Sequence, residues 1–335
     1  MVDVRVLAAP DKFKGTATAA AVAEAICRGV AAADGQHACR AIPLADGGEG
    51  TLEALGGANR TTTVTGPLGD PVDAAWRLHQ RTAVIEMAQA SGLVLVGGAD
   101  GNDPIAASTA GTGELIVAAV DAGARRVLVG VGGSATTDGG LGALRAMYPL
   151  QRYRGVDLVV ACDVRTRFVD AAEVFAPQKG ASAAQVELLR RRLERLADSY
   201  VGDYGVDVRD LEGSGAAGGL AGGLAAVGAE LVSGFDLVAD ETGFFEALET
   251  VDLVITGEGF VDAESFDGKV VGGVADTAAE LGVEVLVVAG QVFDGVDARV
   301  PTVSLAQRFG LDEAMADPLG CVERAVADAV AGRAG

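Results

Sequence analysis

Short apolar runs alternate with Gly-rich loops and amphipathic stretches at the start of the chain. Residues 2–9 form an apolar run that predicts a buried strand, and the apolar spacing over 16–33 predicts a helix. A second strand is predicted over 38–44, and a short helix begins at Thr51. This strand–loop–helix rhythm is typical of a parallel sheet covered by helices.

The pattern then changes to short strands that no helix separates. Residues 60–65, 72–78 and 83–87 are three such runs, joined by turns rich in Gly and Pro. Consecutive strands with short connections pair antiparallel. We therefore expect a second region that contains antiparallel strands.

The helix and strand rhythm returns in the rest of the chain. Helices are predicted over 112–122, 183–200, 269–281 and 318–331, and strands over 126–131, 156–161, 252–255, 283–289 and 301–305. A chain of 335 residues exceeds the size of a single core, which favours two domains. We predict an α/β protein with a cleft between two discontinuous domains. Residues 1–60, about 105–147 and 245–335 form a Rossmann-like parallel-sheet domain, and about 61–104 with 148–244 form a second α/β domain with antiparallel strands.

Charge and composition narrow the possible functions. The net charge of −21 argues against binding to nucleic acid or to anionic membranes. No apolar stretch reaches the ~18 residues of a membrane helix, and no signal peptide is visible. We expect a cytoplasmic protein, a monomer or homodimer, without nucleic-acid or membrane partners. An acidic surface with only four lysines, Lys12, Lys14, Lys179 and Lys269, favours a halophilic host.

The cysteines and histidines offer little chemistry. Cys27, Cys39, Cys162 and Cys321 form no C-x-x-C pair, and we expect free, buried thiols in a reducing compartment. His37 and His79 lie outside the Gly-rich loops and are expected to be structural or exposed.

Several Gly-rich loops follow predicted strands, where ligands bind in open α/β sheets. Backbone N–H groups in such loops hold phosphates. One loop brings Glu258 and Asp262 close in sequence to Lys269, and carboxylates that hold Mg²⁺ beside a lysine suit phosphoryl transfer. It is not a Walker A loop, because Ala263 and Val270 occupy positions that this motif reserves for Gly and Ser or Thr.

Two other loops carry candidate chemistry. Asp46 and Glu49 flank Gly47-Gly48, where they could orient Mg²⁺ or accept a hydroxyl proton. Gly130-x-Gly132-x-x-Ala135 matches a dinucleotide fingerprint superficially, although the acidic residue expected about 20 positions later is misplaced. A nicotinamide-dependent oxidoreductase is therefore the alternative enzyme class.

Taken together, the loops resemble the bacterial-type glycerate kinase family over nearly the whole chain. The matching segments are Ala9-Pro10-Asp11-x-Phe13-Lys14-Gly15, Ala45-Asp46-Gly47-Gly48-Glu49-Gly50-Thr51, Thr65-Gly66-Pro67-Leu68-Gly69, Ile85-Glu86-Met87-Ala88-x-Ala90-Ser91-Gly92-Leu93, Gly111-Thr112-Gly113-Glu114-Leu115-Ile116, Gly132-Gly133-Ser134-Ala135-Thr136-x-Asp138-Gly139-Gly140, Pro177-Gln178-Lys179-Gly180-Ala181 and Gly257-Glu258-Gly259. The resemblance implies a two-domain α/β kinase that transfers the γ-phosphoryl group of ATP to D-glycerate with Mg²⁺, usually giving 2-phosphoglycerate.

The resemblance also suggests roles for individual residues. The expected catalytic residues are Lys14, Asp46, Glu49, Lys269 and Asp138. The expected substrate- or nucleotide-binding residues are Asp11, Gly47, Gly48, Thr112, Gly113, Gly132, Gly133, Ser134, Thr136, Gln178, Lys179, Gly257 and Gly268. The expected metal ligands are Glu258, Asp262 and Asp163.

The chain departs from the family pattern at four places. The segments after Gly140 and after Asp163 are short, Lys12 replaces a common small residue, and Thr137 replaces a common Asn. These departures put substrate detail and product position in question more than reaction class, and they leave open a catalytically silent relative that only binds ligand.

Overall fold

The computed structural model describes residues 4–33, 37–266, 268–293 and 300–332, apart from the side chain of Glu264. Its described residues form two compact units. Unit 1 comprises Met1–Asp46, Glu53–Leu55 and Phe235–Gly335, and unit 2 comprises Gly47–Leu52 and Gly56–Gly234.

The strands and helices are numbered in chain order. The strands are β1 Arg5–Ala8, β2 Ala38–Ala41, β3 Arg60–Thr65, β4 Pro71–His79, β5 Thr82–Glu86, β6 Arg126–Gly130, β7 Asp157–Ala161, β8 Glu230–Val232, β9 Leu253–Val261, β10 Glu284–Val292 and β11 Thr302–Ser304. The helices are α1 Ala19–Ala33, α2 Thr51–Ala54, α3 Ala88–Ser91, α4 Ala110–Asp121, α5 Leu141–Met147, α6 Ala171–Phe175, α7 Ala183–Tyr204, α8 Ala216–Ala226, α9 Gly234–Thr242, α10 Phe244–Leu248, α11 Val270–Leu281, α12 Leu305–Phe309, α13 Leu311–Ala316 and α14 Pro318–Ala331.

Unit 1 is built on a parallel sheet in the order β11-β10-β9-β1-β2. Its central strands β1, β9 and β10 contain apolar runs because helices cover both faces of the sheet. In β1, Leu7 packs into one hydrophobic cluster, while Val6 and Ala8 pack into another on the opposite face. This arrangement leaves the carboxyl ends of the strands as the polar edge of unit 1.

Unit 2 contains a mixed sheet in the order β3-β4-β5-β6-β7-β8. The pairs β3–β4 and β4–β5 are antiparallel, and the pairs from β5 to β8 are parallel. Trp76, Leu115, Leu193 and Leu220 belong to one continuous core around this sheet. The predicted fold class is confirmed: a parallel-sheet α/β region and a second α/β region with antiparallel strands.

The units differ from the predicted domain division in one large segment. Residues 105–147, expected in the first domain, lie in unit 2, because β6 pairs with β5 on one side and β7 on the other. Parallel strands followed by helices occur in both sheets. The local pattern therefore could not show which sheet β6 joins.

Most predicted elements lie within a few residues of the observed ones, and 60–65 and 318–331 match β3 and α14 at both ends. Val2 and Asp3, at the start of the first predicted strand, fall outside the described residues. The loop expected after residue 255 is instead a continuation of β9 to Val261, paired with β10. The sequence analysis did not predict β8 or the helices α3, α5, α6, α8, α9, α10, α12 and α13. The small residues of α8 show no amphipathic period.

The prediction of free thiols is wrong for one pair of cysteines. Cys27 of α1 and Cys39 of β2 form a disulfide with their Cα atoms 5.3 Å apart. The pair forms because α1 packs beside the strand that directly follows it in the chain. Cys162 and Cys321 are free. Among the described helices, none is long and apolar enough to cross a membrane.

Candidate active site

Four carboxylates of unit 1 belong to segments that leave the carboxyl ends of its strands. Asp11 follows β1, Asp46 follows β2, Glu258 lies on the last part of β9, and Asp262 comes directly after β9. Burial is the main cause that raises the pKa of Asp11 and of Glu258; the charges of Asp46 and Glu258 add to the rise at Asp11, and those of Asp46 and Asp262 add to the rise at Glu258. The four side chains therefore form one electrostatically coupled group, which we call the acidic cluster.

Backbone hydrogen bonds hold the Asp11 loop against β9. The Asp11 N–H donates to the Gly257 carbonyl at 2.9 Å, and the Thr256 hydroxyl donates to the Ala9 carbonyl at 2.8 Å. The Leu44 N–H donates to the Pro10 carbonyl at 3.0 Å, which joins the segment after β2 to the same loop. These hydrogen bonds to β9 and to the segment after β2 fix the position of Asp11.

Asp11 is a buried carboxylate with an adjacent lysine. Its exposed fraction is 6%, and burial raises its pKa to about 7 although Lys12 opposes the shift. The Lys12 Nζ lies 3.6 Å from Asp11 Oδ1, and the Lys12 N–H donates to the same oxygen at 2.6 Å. Lys12 was not among the predicted site residues. Its adjacency to Asp11 and its departure from the family pattern were the signals available in the sequence.

Glu258 has a buried oxygen atom, Oε1, without a hydrogen-bond partner among the described residues. Burial raises the pKa of Glu258, while a hydrogen bond from Ser265 and the positive charge of Lys269 lower it. Ser265 also binds Asp262, with its N–H 3.0 Å from Asp262 Oδ1. Lys269 stands at the N-cap of α11, directly after Gly268 with φ +76°. The predicted set Glu258, Asp262 and Lys269 is therefore brought together in unit 1.

Gly257 and Gly259 allow β9 to approach its neighbours closely. A Cβ at Gly257 would lie 1.9 Å from the Val288 carbonyl oxygen. A Cβ at Gly259 would lie 3.2 Å from the backbone nitrogen of Lys14, whose own side chain is exposed. Gly257 thus has a packing role that the sequence motif alone did not distinguish from ligand binding.

In unit 2, Glu86 holds the loop that precedes α2. Its Oε1 accepts the N–H groups of Gly50 at 2.9 Å and Leu52 at 2.8 Å, and its exposed fraction is 5%. Burial raises the pKa of Glu86. The predicted residues Gly47, Gly48 and Glu49 belong to this loop in unit 2, whereas Asp46 belongs to unit 1. Glu86 lies in the segment 85–93 that resembles the family, but no role was predicted for it.

The same loop packs against the loop that follows β6. A Cβ at Gly130 would lie 2.5 Å from the Gly47 carbonyl oxygen, and one at Gly132 would lie 2.7 Å from the Gly48 Cα. Only glycine permits this contact between two backbones. The structure also argues against a dinucleotide fingerprint, because β6 ends at Gly130 and α5 begins only at Leu141.

Lys179 is buried beneath the 132–136 loop. Its Nζ donates to Ser134 Oγ at 2.8 Å and to the Thr136 carbonyl at 2.6 Å. Burial lowers the pKa of Lys179 to about 7, opposed by the charge of Asp138. Asn102 also links the two segments, because its Nδ2 donates to the carbonyls of Ala135 and Lys179. Lys179 therefore supports the loop that carries the predicted residues Gly132, Gly133, Ser134 and Thr136.

The other predicted site residues of unit 2 contact different partners from those of the 132–136 loop. Asp138 accepts hydrogen bonds from the N–H groups of Thr109, Gly140 and Gly142, and Asp163 Oδ1 accepts one from the Gly234 N–H. The Thr112 hydroxyl is buried against Ser91 Oγ at 2.8 Å. A Cβ at Gly113 would lie 2.4 Å from the Ala143 carbonyl oxygen, while Gln178 is exposed.

Parallel sheets with polar loops at the carboxyl ends of their strands are typical of α/β enzymes. The family model described as the glycerate kinase family matches residues 6–148 and 149–331. The chain belongs to the glycerate kinase family.

Individual relatives agree with this family assignment. The chain is 39% identical to the glycerate 2-kinase of Escherichia coli (strain K12), in a match that covers 88% of this chain and 87% of the relative. It is also 39% identical to the glycerate kinase of Bacillus subtilis (strain 168), over 86% of this chain and 85% of the relative. A crystal structure from Salmonella typhimurium LT2, whose protein is provisionally assigned as glycerate kinase 2, superposes with a TM-score of 0.87 at 34% identity, covering 99% of both chains.

Proposed function

We propose that this enzyme transfers the γ-phosphoryl group of ATP to D-glycerate and releases 2-phosphoglycerate. The acidic cluster carries the proposal, because unit 1 brings Asp11, Asp46, Glu258 and Asp262 into one electrostatic group with Lys12 and Lys269. Carboxylates for a metal ion beside lysines for phosphate oxygens are the parts that phosphoryl transfer uses. The membership in the glycerate kinase family and the name of the Escherichia coli relative support the acceptor and the product position.

The residues present fit Mg²⁺. Carboxylate oxygens are its preferred protein ligands, and the buried Glu258 Oε1 lacks a hydrogen-bond partner within the described structure. The described residues contain no group of three or more His, Cys, Asp or Glu side chains arranged to hold a metal. Kinases usually hold Mg²⁺ through one or two carboxylates together with the substrate phosphates. Glu258 and Asp262 would hold the ion, which would neutralise charge on the phosphate oxygens.

The chain's own groups have distinct tasks in this reaction. Lys269 and Lys14 bind the phosphates or the glycerate carboxylate. Asp11 accepts the proton of the attacking hydroxyl, because a pKa of about 7 is close to the operating pH of an acid–base group. The 132–136 loop supplies an anion site, and Lys179 acts on this site by fixing the loop through Ser134 and Thr136.

The proposal also covers the cellular compartment, the salt concentration and the oligomeric state of the enzyme. We expect a cytoplasmic enzyme, because glycerate and ATP are intracellular metabolites. Disulfides such as Cys27–Cys39 are more common in oxidising compartments. The acidic, lysine-poor composition favours activity at molar salt. Size-exclusion chromatography in that salt tests the expectation of a monomer or homodimer.

The decisive experiment mixes the full chain with ATP and D-glycerate in molar KCl and follows the products by phosphorus NMR, with and without Mg²⁺. A 2-phosphoglycerate signal that requires Mg²⁺ supports the proposal in full. A 3-phosphoglycerate signal keeps the reaction class and rejects the product position. A folded protein that transfers no phosphoryl group to glycerate contradicts the proposal.

A further inference from the structure

Unit 2 contains a pocket to which the proposed function assigns no ligand. It lies between the segment 105–108, the start of α5 and one face of α7, and its volume is about 430 Å³. Cavities of this size bind small organic molecules.

Three arginines line this pocket. Arg145 comes from α5, and Arg192 and Arg195 come from α7, three positions apart on one helix face. Within the described residues, none of the three forms an ion pair, although the whole chain has a net charge of −21. In so acidic a chain, three positive charges on one pocket without acidic partners call for a ligand.

The acidic side chains near these arginines are bound elsewhere. Glu194 pairs with Arg190 at 3.2 Å, and Asp198 pairs with Arg209 at 2.8 Å. Both acidic residues lie on α7, yet their partners are not the arginines of the pocket. Neither Glu194 nor Asp198 therefore forms an ion pair with an arginine of the pocket.

Asp138 is the acidic residue among those lining the pocket, and backbone donors surround its carboxylate. The N–H groups of Thr109, Gly140 and Gly142 lie 2.9, 3.1 and 3.1 Å from its oxygens. These donors, from the loop of Asp138, from α5 and from the N-cap of α4, stabilise the carboxylate. Its oxygens are not within ion-pair distance of the three arginines.

The remaining walls define the kind of ligand. Ser108 and Ser199 bring hydroxyl groups to the pocket, and Leu141, Leu193 and Leu196 bring apolar side chains. Guanidinium groups bind phosphate and carboxylate oxygens in a bidentate manner. We propose that this pocket binds a small organic anion with at least two phosphate or carboxylate groups on a short carbon skeleton. This would be a ligand site of its own, whether or not the enzyme phosphorylates glycerate.

The test uses methyl NMR of the full chain, because Ile105 lines the pocket and reports binding there directly. The probes are inorganic phosphate, 2-phosphoglycerate and citrate, titrated at moderate salt without Mg²⁺. We expect an organic probe to shift the Ile105 signal with millimolar or better affinity. A response to 2-phosphoglycerate alone would identify a phosphate ester, and a response to citrate alone would identify a polycarboxylate.

The matched variants separate this pocket from any other binding site. Arg145→Gln with Arg195→Gln removes two charges and leaves the Arg192 contact to the Ile105 carbonyl in place. We expect this double variant to weaken binding at least tenfold, while Arg191→Gln, on the same helix but outside the pocket, binds as the wild type does. The absence of an Ile105 shift with every organic probe would overturn the proposal. Equal affinity in the double variant, with its fold verified by circular dichroism, would also overturn it.

Discussion

Asp11 and Lys12 form an ion pair within the acidic cluster, with 3.6 Å between Lys12 Nζ and Asp11 Oδ1 and both side chains mostly buried. Burial raises the pKa of Asp11 to about 7, and the charge of Lys12 limits this rise. Lys12→Met should therefore raise the pKa further. We expect the acidic limb of the kcat/KM profile to move upward by about one pH unit. A profile measured from pH 5.5 to 9 checks this, and an unmoved limb would show that Asp11 ionisation does not control turnover.

The same carboxylate should make stability depend on pH. The pKa of Asp11 is about 7 in the folded state and near 3.8 in the unfolded state. Between these values the folded protein retains a proton that the unfolded chain has released, so this contribution to stability is lost as pH rises from about 4 to 7.

Asp11→Asn removes this pH dependence. The variant should match the wild type at or below about pH 4 and exceed its free energy of unfolding at pH 8 by on the order of 2–4 kcal/mol. Denaturant unfolding at constant salt measures the difference, in which the other titrating groups cancel. A gap of the same size at pH 5 and pH 8 would contradict the assigned pKa.

The sequence was sufficient for much of the fold because several central strands are apolar runs next to Gly-containing loops, as β6 and β7 illustrate. It also indicated that Glu258, Asp262 and Lys269 lie together, since they are close in sequence. The sequence could not show that β6 joins the sheet of unit 2, because strand pairing is a non-local choice. Nor could it show that Glu86 and Lys179 act on loops distant in sequence, since their roles depend on burial and hydrogen-bond partners.

Glu86 should be essential as a hydrogen-bond acceptor rather than as a charge. Glu86→Ala leaves the N–H groups of Gly50 and Leu52 without their acceptor, which should cost about 2–4 kcal/mol of stability. Glu86→Gln keeps an acceptor oxygen and removes a buried carboxylate, so it should lose less than about 1 kcal/mol. Thermal unfolding and kcat/KM are measured for both variants. Equal losses in the two variants would show that the charge itself is needed.

The contact between the Gly47–Gly48 and Gly130–Gly132 backbones predicts a sharp difference between two Gly→Ala variants. In Gly132→Ala the new methyl group would lie 2.7 Å from the Gly48 Cα, so the two loops must separate. We expect kcat/KM to fall at least about tenfold, because displacement of a site by about 1 Å is costly. Gly202→Ala in α7 meets no atom within 4 Å and should stabilise the helix by about 0.5–1 kcal/mol with unchanged activity. Similar kinetics for the two variants would contradict a functional role of the loop contact.

Lys269 offers the most direct test of the acidic cluster, because its positive charge acts on Glu258 and it stands at the start of α11. Lys269→Ala removes a cation that would stabilise charge on the transferring phosphoryl group, and we expect kcat to fall about 10²–10³-fold. Lys269→Arg keeps the charge in a different geometry and should retain more activity than the alanine variant. Steady-state kinetics with ATP and D-glycerate measures both, and circular dichroism confirms the fold. Near-normal turnover of a folded Lys269→Ala enzyme would remove Lys269 from the active site and leave the phosphate oxygens to Lys12 and Lys14.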